Sequence, residues 1–168
     1  MIGAGQQPPE RGRSARVGLL VEPATAADLD AIDAIERHSF ATPWPRHAFE
    51  VELARDIARL TVARAPDVIG FCNYWLLSDG GPGGEVQVMA IASHPDHRRA
   101  GVGAALLAEA LDHGRAHRAE VATLEVRRGN APAIAMYERA GFRTVHVRAR
   151  YYQDNGEDAL VMLTEWSR

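Results

Sequence analysis

At 168 residues, 46% hydrophobic and 24% charged, with a net charge of -3, the chain is sized for one domain with a sizeable core, and its acidity argues against a general affinity for nucleic acid. No apolar run reaches membrane-spanning length. The single cysteine, Cys72, excludes a disulfide framework and a cysteine-built zinc site, suits a reducing compartment and is expected in the core. All 19 basic residues are arginines, which also excludes Schiff-base and lysine-nucleophile chemistry.

Residues 1–16 combine Gly, Gln, Pro and Glu with three arginines and lack the apolar segment of a secretory signal. They are expected to form a disordered extension ahead of a single domain over 17–168. Val17, Leu19, Leu20 and Val21 predict a first strand closed by Pro23. Thr25 then reads as the N-cap of a helix that carries Leu29, Ile32 and Ile35 and ends before Pro43-Trp44-Pro45. A second helix is expected to bury Phe49 and Leu53.

The spans 59–65 and 69–77 predict two strands joined at Pro66-Asp67, and a glycine-rich loop over 78–84 leads to a strand over 85–93. Val102, Leu106, Leu107, Ala110 and Leu111 repeat at helical spacing, and a short strand is expected over 123–126. Asn130 reads as the cap of a further helix, with Pro132 in its first turn and Gly141 at its end. The spans 142–152 and 159–166 close the chain as a hairpin with Asp154-Asn155-Gly156 in its turn. This order predicts an α/β fold, a mixed sheet with helices on its faces.

The loop Arg98-Arg99-Ala100-Gly101-Val102-Gly103-Ala104 stands between that strand and the long helix. Small residues there admit a ligand to the backbone, and the first-turn N–H groups and the helix dipole suit an anion such as phosphate. A Walker loop fits poorly because the chain has no lysine, and a dinucleotide fingerprint because Leu106 stands where glycine is wanted and Ser93 to His97 separate the strand from the loop. Glu125 lies in the apolar run Leu124-Glu125-Val126, where it reads either as a general base or as a solvated or Arg127- or Arg128-paired carboxylate. Tyr137 reads as a core tyrosine or a proton donor, and Asn130 as a helix cap or a ligand contact. His113 and His117 are four apart but lack a zincin pattern and are expected on a solvated face; Asp154, Glu157 and Asp158 lack EF-hand spacing, so no metal is expected.

Arg98-x-x-Gly101-x-Gly103, the strand acid Glu125, Asn130 and the run Ala135-Met136-Tyr137-Glu138-Arg139-Ala140-Gly141-Phe142 together resemble the GNAT superfamily of N-acetyltransferases over about residues 17–165. Three further blocks are similar to the bacterial ribosomal-protein-S18 alanine N-acetyltransferase (RimI) family. They are Ile35-Glu36-x-x-Ser39-Phe40-x-x-Pro43-Trp44, Leu124-Glu125-Val126-Arg127, and Arg150-Tyr151-Tyr152 followed by Glu157-Asp158-Ala159. The resemblance implies a central mixed, mostly antiparallel sheet of six to seven strands flanked by about four helices, with a cofactor cleft between strands 85–93 and 123–126.

It further implies acetyl-CoA as co-substrate, held at Ile91, Ala92 and Ser93, at Arg98, Arg99, Ala100, Gly101, Val102, Gly103 and Ala104, and at Asn130. Glu125 is implied as the base and Tyr137 as the acid, with Phe40, Trp44, Tyr151 and Tyr152 around the acceptor. The implied partner is the N-terminal alanine of ribosomal protein S18, in the cytoplasm, without membrane or direct nucleic-acid contact. Another amine acceptor, such as a lysine side chain, a free amino acid or an antibiotic, remains an alternative within the same chemistry. A non-catalytic acyl-CoA-binding module is a third reading, disfavoured because binding alone requires neither Glu125 nor Tyr137.

Overall fold

The computed structural model describes residues 18–78 and 83–166, so the expected extension over 1–16 and part of the loop over 78–84 lie outside the described residues. Seven strands, β1 (Leu20–Pro23), β2 (Ala58–Arg64), β3 (Val68–Leu77), β4 (Gly84–Ser93), β5 (Ala119–Arg127), β6 (Arg143–Arg148) and β7 (Ala159–Glu165), form one sheet in the order β1-β2-β3-β4-β5-β7-β6. Its helices are α1 (Leu29–Ser39), α2 (Arg46–Ala54), α3 (Val102–Ala116) and α4 (Ala131–Arg139). Every neighbouring pair is antiparallel except β4 with β5, which run parallel. This is the α/β fold expected, and α3 supplies the crossover that a parallel pair requires.

Strand alternation divides the core into two layers. Cys72 and Tyr74 of β3 pack with α3, whereas Phe71 packs with Ile32 and Ile35 of α1 and Phe49 of α2. The α1–α2 face and the α3–α4 face of the sheet are therefore separately filled. Cys72 is fully buried, as expected.

Several local expectations shift. The first strand begins at Leu20 and includes Pro23, which an edge strand tolerates because one side of it needs no ladder donor. Thr25 is an N-cap as expected, but of a short 3-10 turn ahead of α1, where it forms a capping box with Asp28, whose carboxylate accepts the Thr25 main-chain N–H at 2.8 Å and Arg64 Nη2 at 2.6 Å. On α2 Phe49 is buried but Leu53 is exposed, and Glu52 takes the inner position. Burial of that carboxylate is compensated by donors from Asn73 Nδ2 at 2.9 Å, Trp75 Nε1 at 2.6 Å and Arg55 Nε at 2.9 Å. β5 is longer than expected because its first residues complete the parallel ladder with β4.

One irregularity positions everything that follows. Ala90 pairs with Asn73 but Val88 pairs with Tyr74, which leaves Met89 as an extra residue in β4. A bulge of one residue reverses side-chain parity. Val86 and Val88 accordingly join the α3 layer while Ala90 and Ala92 join the α1–α2 layer.

Candidate active site

The parallel ladder runs from Gly84 paired with Ala119 to Val88 paired with Leu124, and there it stops. Beyond the bulge β4 continues to Ser93 paired with β3 alone, while β5 continues to Arg127 paired with β7 alone. The two strands thus splay into a wedge whose walls carry main-chain groups released from the ladder. Ile91, Ala92 and Ser93 lie on one wall and Glu125 on the other.

The glycine loop stands at the β4 end of this wedge. Gly101 is the N-cap of α3 at φ +80°, a left-handed conformation that a β-branched residue adopts only with strain, and a Cβ added there would meet nothing within 4 Å. Its neighbours Arg98, Arg99, Ala100 and Ala104 are exposed, Gly103 is half-buried, and Val102 is buried as the first anchor of α3. The first turn of a 15-residue helix therefore presents its N–H groups to solvent beside two arginines.

Two residues flank the wedge from opposite faces of the sheet. Leu124 and Val126 belong to the α3–α4 layer, so Glu125 between them projects to the α1–α2 face. There its Oε1 lies 3.0 Å from Nε of Arg148. Tyr151 donates a hydrogen bond to the same carboxylate, which raises the Tyr151 pKa. The partner expected from sequence was Arg127 or Arg128, but these are engaged elsewhere: Arg127 with Asp154 at 2.9 Å and Glu157 at 3.3 Å, Arg128 with Asp158 at 2.8 Å.

Tyr137 is on the α3–α4 face, 5% exposed and packed against Phe142 at 5.9 Å between ring centroids. Burial, aided by the neighbouring Cys72 and Tyr152, raises its pKa, so it keeps its proton at neutral pH. Tyr152 senses both Glu125 and Arg127, whose guanidinium lies 3.8 Å from its ring centre. Glu125, Tyr152 and Tyr137 are thereby brought together across the opening of the sheet, with Tyr151 edge-on to Tyr152 at 5.3 Å. Asn130 is a helix cap, its Oδ1 accepting from the Ala133 N–H at 3.3 Å.

The acidic turn is an internal clamp. Besides holding Arg127 and Arg128, Glu157 accepts the Gly129 N–H at 2.7 Å and Asp158 accepts the Arg150 N–H at 2.9 Å. These bonds fix the chain on either side of Tyr151 and Tyr152. Phe40 is exposed and Trp44 half-buried, and Trp44 packs on Phe49 at 5.7 Å, so their loop borders the same face as Glu125. Among the described residues no ring contact joins Trp44 to the tyrosine pair, which leaves two separate walls.

His113 is not on a solvated face: it is half-buried against Tyr74 at 5.8 Å and His117 at 4.2 Å. Burial, Arg59 and His117 lower its pKa to about 4. Among the described residues no group of three or more His, Cys, Asp or Glu could hold a metal ion, and no helix is long and apolar enough to cross a membrane.

Residues 29–142 match the acetyltransferase (GNAT) family model. The chain belongs to the GNAT acetyltransferase family. It is 36% identical over 149 residues to the N-alpha-acetyltransferase RimI of Mycobacterium tuberculosis, covering 84% of this chain and 92% of that protein. Identity to the ribosomal protein bS18-alanine N-acetyltransferase of Escherichia coli K12 is 32% over 137 residues, covering 80% of this chain and 89% of that one. The crystal structure of the E. coli ribosomal-protein-S18-alanine N-acetyltransferase superposes with a TM-score of 0.79 at 28% identity, over 90% of this chain and 96% of that one. The chain is thus a GNAT N-acetyltransferase of the RimI type.

Sequence reasoning singled out neither Arg148, which pairs with Glu125, nor Glu36, which is buried and accepts the Trp44 main-chain N–H. Glu36 had a visible signal: it lies four residues after Ile32 and seven after Leu29, on the apolar stripe of its own helix. Arg148 had none, because its contact with Glu125 joins residues that are distant in sequence.

Proposed function

We propose that this enzyme acetylates the N-terminal alanine of ribosomal protein S18, with acetyl-CoA as donor. The observation that carries the reading is the wedge between β4 and β5, which opens the sheet to Glu125 from one face and to Tyr137 from the other. An amine can then approach a thioester through the sheet rather than along it.

The chain's groups fit the donor. Main-chain N–H groups in the first turn of α3, beside Arg98 and Arg99, suit a pyrophosphate, and the released edge over 91–93 suits an extended amide-bearing arm. Acetyl-CoA supplies the acetyl group as an activated thioester. N–H groups of the 91–93 segment donate to the carbonyl oxygen on which negative charge develops. Glu125 takes the proton of the α-ammonium, directly or through water, once Arg148 yields its place on the carboxylate. Tyr137, kept protonated by burial, gives its proton to the departing sulfur. Asn130 caps α4 at the wedge and adds a polar contact there. Phe40 and Trp44 on one side and Tyr151 and Tyr152 on the other border the acceptor.

The test compares a peptide carrying the S18 N-terminus with one that is blocked at its N-terminus and offers only a lysine. The reading expects acetylation of the first alone. Equal use of the second makes the enzyme a lysine acetyltransferase of the same family.

A further inference from the structure

We infer that Glu36 is a positioning residue for the acceptor: its buried carboxylate ties down the loop that carries Phe40 and Trp44. The inference rests on the acceptor role proposed above for that loop. Glu36 is 2% exposed near the end of α1, and its Oε1 accepts the Trp44 main-chain N–H at 2.9 Å. Its own main-chain carbonyl accepts the Phe40 N–H at 3.0 Å. One residue therefore holds both ends of the segment 40–44, the first through the backbone and the second through the side chain.

Among the described residues no cation pairs with this carboxylate. Oε2 of Glu36 is buried without a hydrogen-bond partner among the described residues, and so is Oδ1 of Asp33 one turn earlier. Desolvation, with Asp33 adding like charge and the Trp44 bond opposing, raises the Glu36 pKa to about 7. A helix that needed only packing would carry an apolar residue on this stripe beside Ile32 and Ile35. The acceptor function of Oε1 toward Trp44 is what an apolar residue would lose. Trp44 in turn packs on Phe49, and Phe49 meets Phe71 edge to face, in the layer that also contains Ala92 of β4. The tether thus sets the loop relative to the wall of the wedge.

The experiment uses the full chain as wild type, Glu36→Leu and Glu36→Gln. Leucine keeps the site filled and apolar, so folding is retained, but accepts no hydrogen bond; glutamine keeps the acceptor oxygen. Amide hydrogen exchange over 40–45 is expected to speed up about tenfold or more in Glu36→Leu and to return toward wild type in Glu36→Gln. KM for the alanine peptide is expected to rise about tenfold in Glu36→Leu, with kcat and the acetyl-CoA KM within about twofold, and to be rescued in Glu36→Gln. Unchanged exchange, an unchanged acceptor KM, or an equal rise in both KM values overturns the inference. If wild type ignores the alanine peptide, the functional reading has failed instead. The KM comparison is then made, with the same outcomes, on whichever amine wild type does acetylate from a panel of lysine peptide, free amino acids and aminoglycosides.

Discussion

The two faces of the wedge are built in different ways. On the α3–α4 face the groups proposed to bind the donor are main-chain groups from one continuous segment, the end of β4 and the start of α3, shaped by Gly101 at positive φ. On the α1–α2 face the proposed acceptor walls are side chains held by pairs eight to thirty residues apart, Trp44 with Glu36, Arg148 with Glu125, and Arg127 with Glu157. A phosphate-bearing donor presents the same groups in every reaction and can be met by backbone geometry. An acceptor must be selected, and side-chain walls can be changed without disturbing the sheet.

The contrast is tested most severely where the faces meet. Tyr137→Phe is expected to slow turnover by about 100- to 10,000-fold while leaving acetyl-CoA affinity unchanged in calorimetry. Glu125→Gln is expected to lose a comparable factor near neutral pH and to recover part of it as pH rises and the amine deprotonates unaided, which kcat/KM against pH will show. A Glu125→Gln profile that superimposes on wild type removes Glu125 as base.

Next in size is a stability effect confined to the acceptor side. Because the folded-state pKa of Glu36 is raised from 4.5 to about 7, its contribution to stability is full below pH 4.5 and is lost as pH rises through 7. Glu36→Gln is therefore expected to stabilise the protein by about 3 kcal/mol near pH 8 and by little at pH 4.5 in urea unfolding. His113 works in the opposite sense. Its pKa is lowered from 6.5 to about 4, so its contribution is full above 6.5 and is lost as pH falls through 4. The two partly offset one another in wild type between pH 4.5 and 6.5, and Glu36→Gln is expected to expose the His113 limb as a loss of stability toward acid.

On the donor side, Gly101→Val forces a β-branched residue to φ +80°, which costs about 1–3 kcal/mol. Acetyl-CoA affinity is expected to fall about ten- to a hundredfold, with acceptor KM unaffected. The smallest effect is expected from Arg127→Ala, which frees Asp154, Glu157 and the ring of Tyr152. Acceptor KM should rise several-fold and acetyl-CoA KM should not move. An Arg127→Ala enzyme impaired toward acetyl-CoA alone would break the division between the faces.

Much of the donor side was legible because its signals are local. The glycine loop, the spacing Val102, Leu106, Leu107, Ala110, Leu111 and the Asn130 cap each rest on residues a few positions apart, and the structure shows the turn, the helix and the cap where they were expected. Glu125 was legible as a carboxylate out of place in an apolar strand, but the choice between base and ion pair was not. The structure corrects the partner, which is Arg148 rather than Arg127 or Arg128. The inner face of α2 was misread at Leu53 because Glu52 finds three donors, two of them on β3, that periodicity cannot display.

The sequence by itself determined the order of elements, the Thr25 and Asn130 caps and the glycine turn ahead of α3, since backbone preferences and apolar periodicity act over a few residues. Only the tertiary structure decided that β4 carries a bulge at Met89, so that Val88 and Ala90 face opposite layers and the β4–β5 ladder ends at Leu124. A one-residue bulge changes no local pattern; it is fixed by pairing with β3 on one side and by release from β5 on the other, and both partners are distant in the chain.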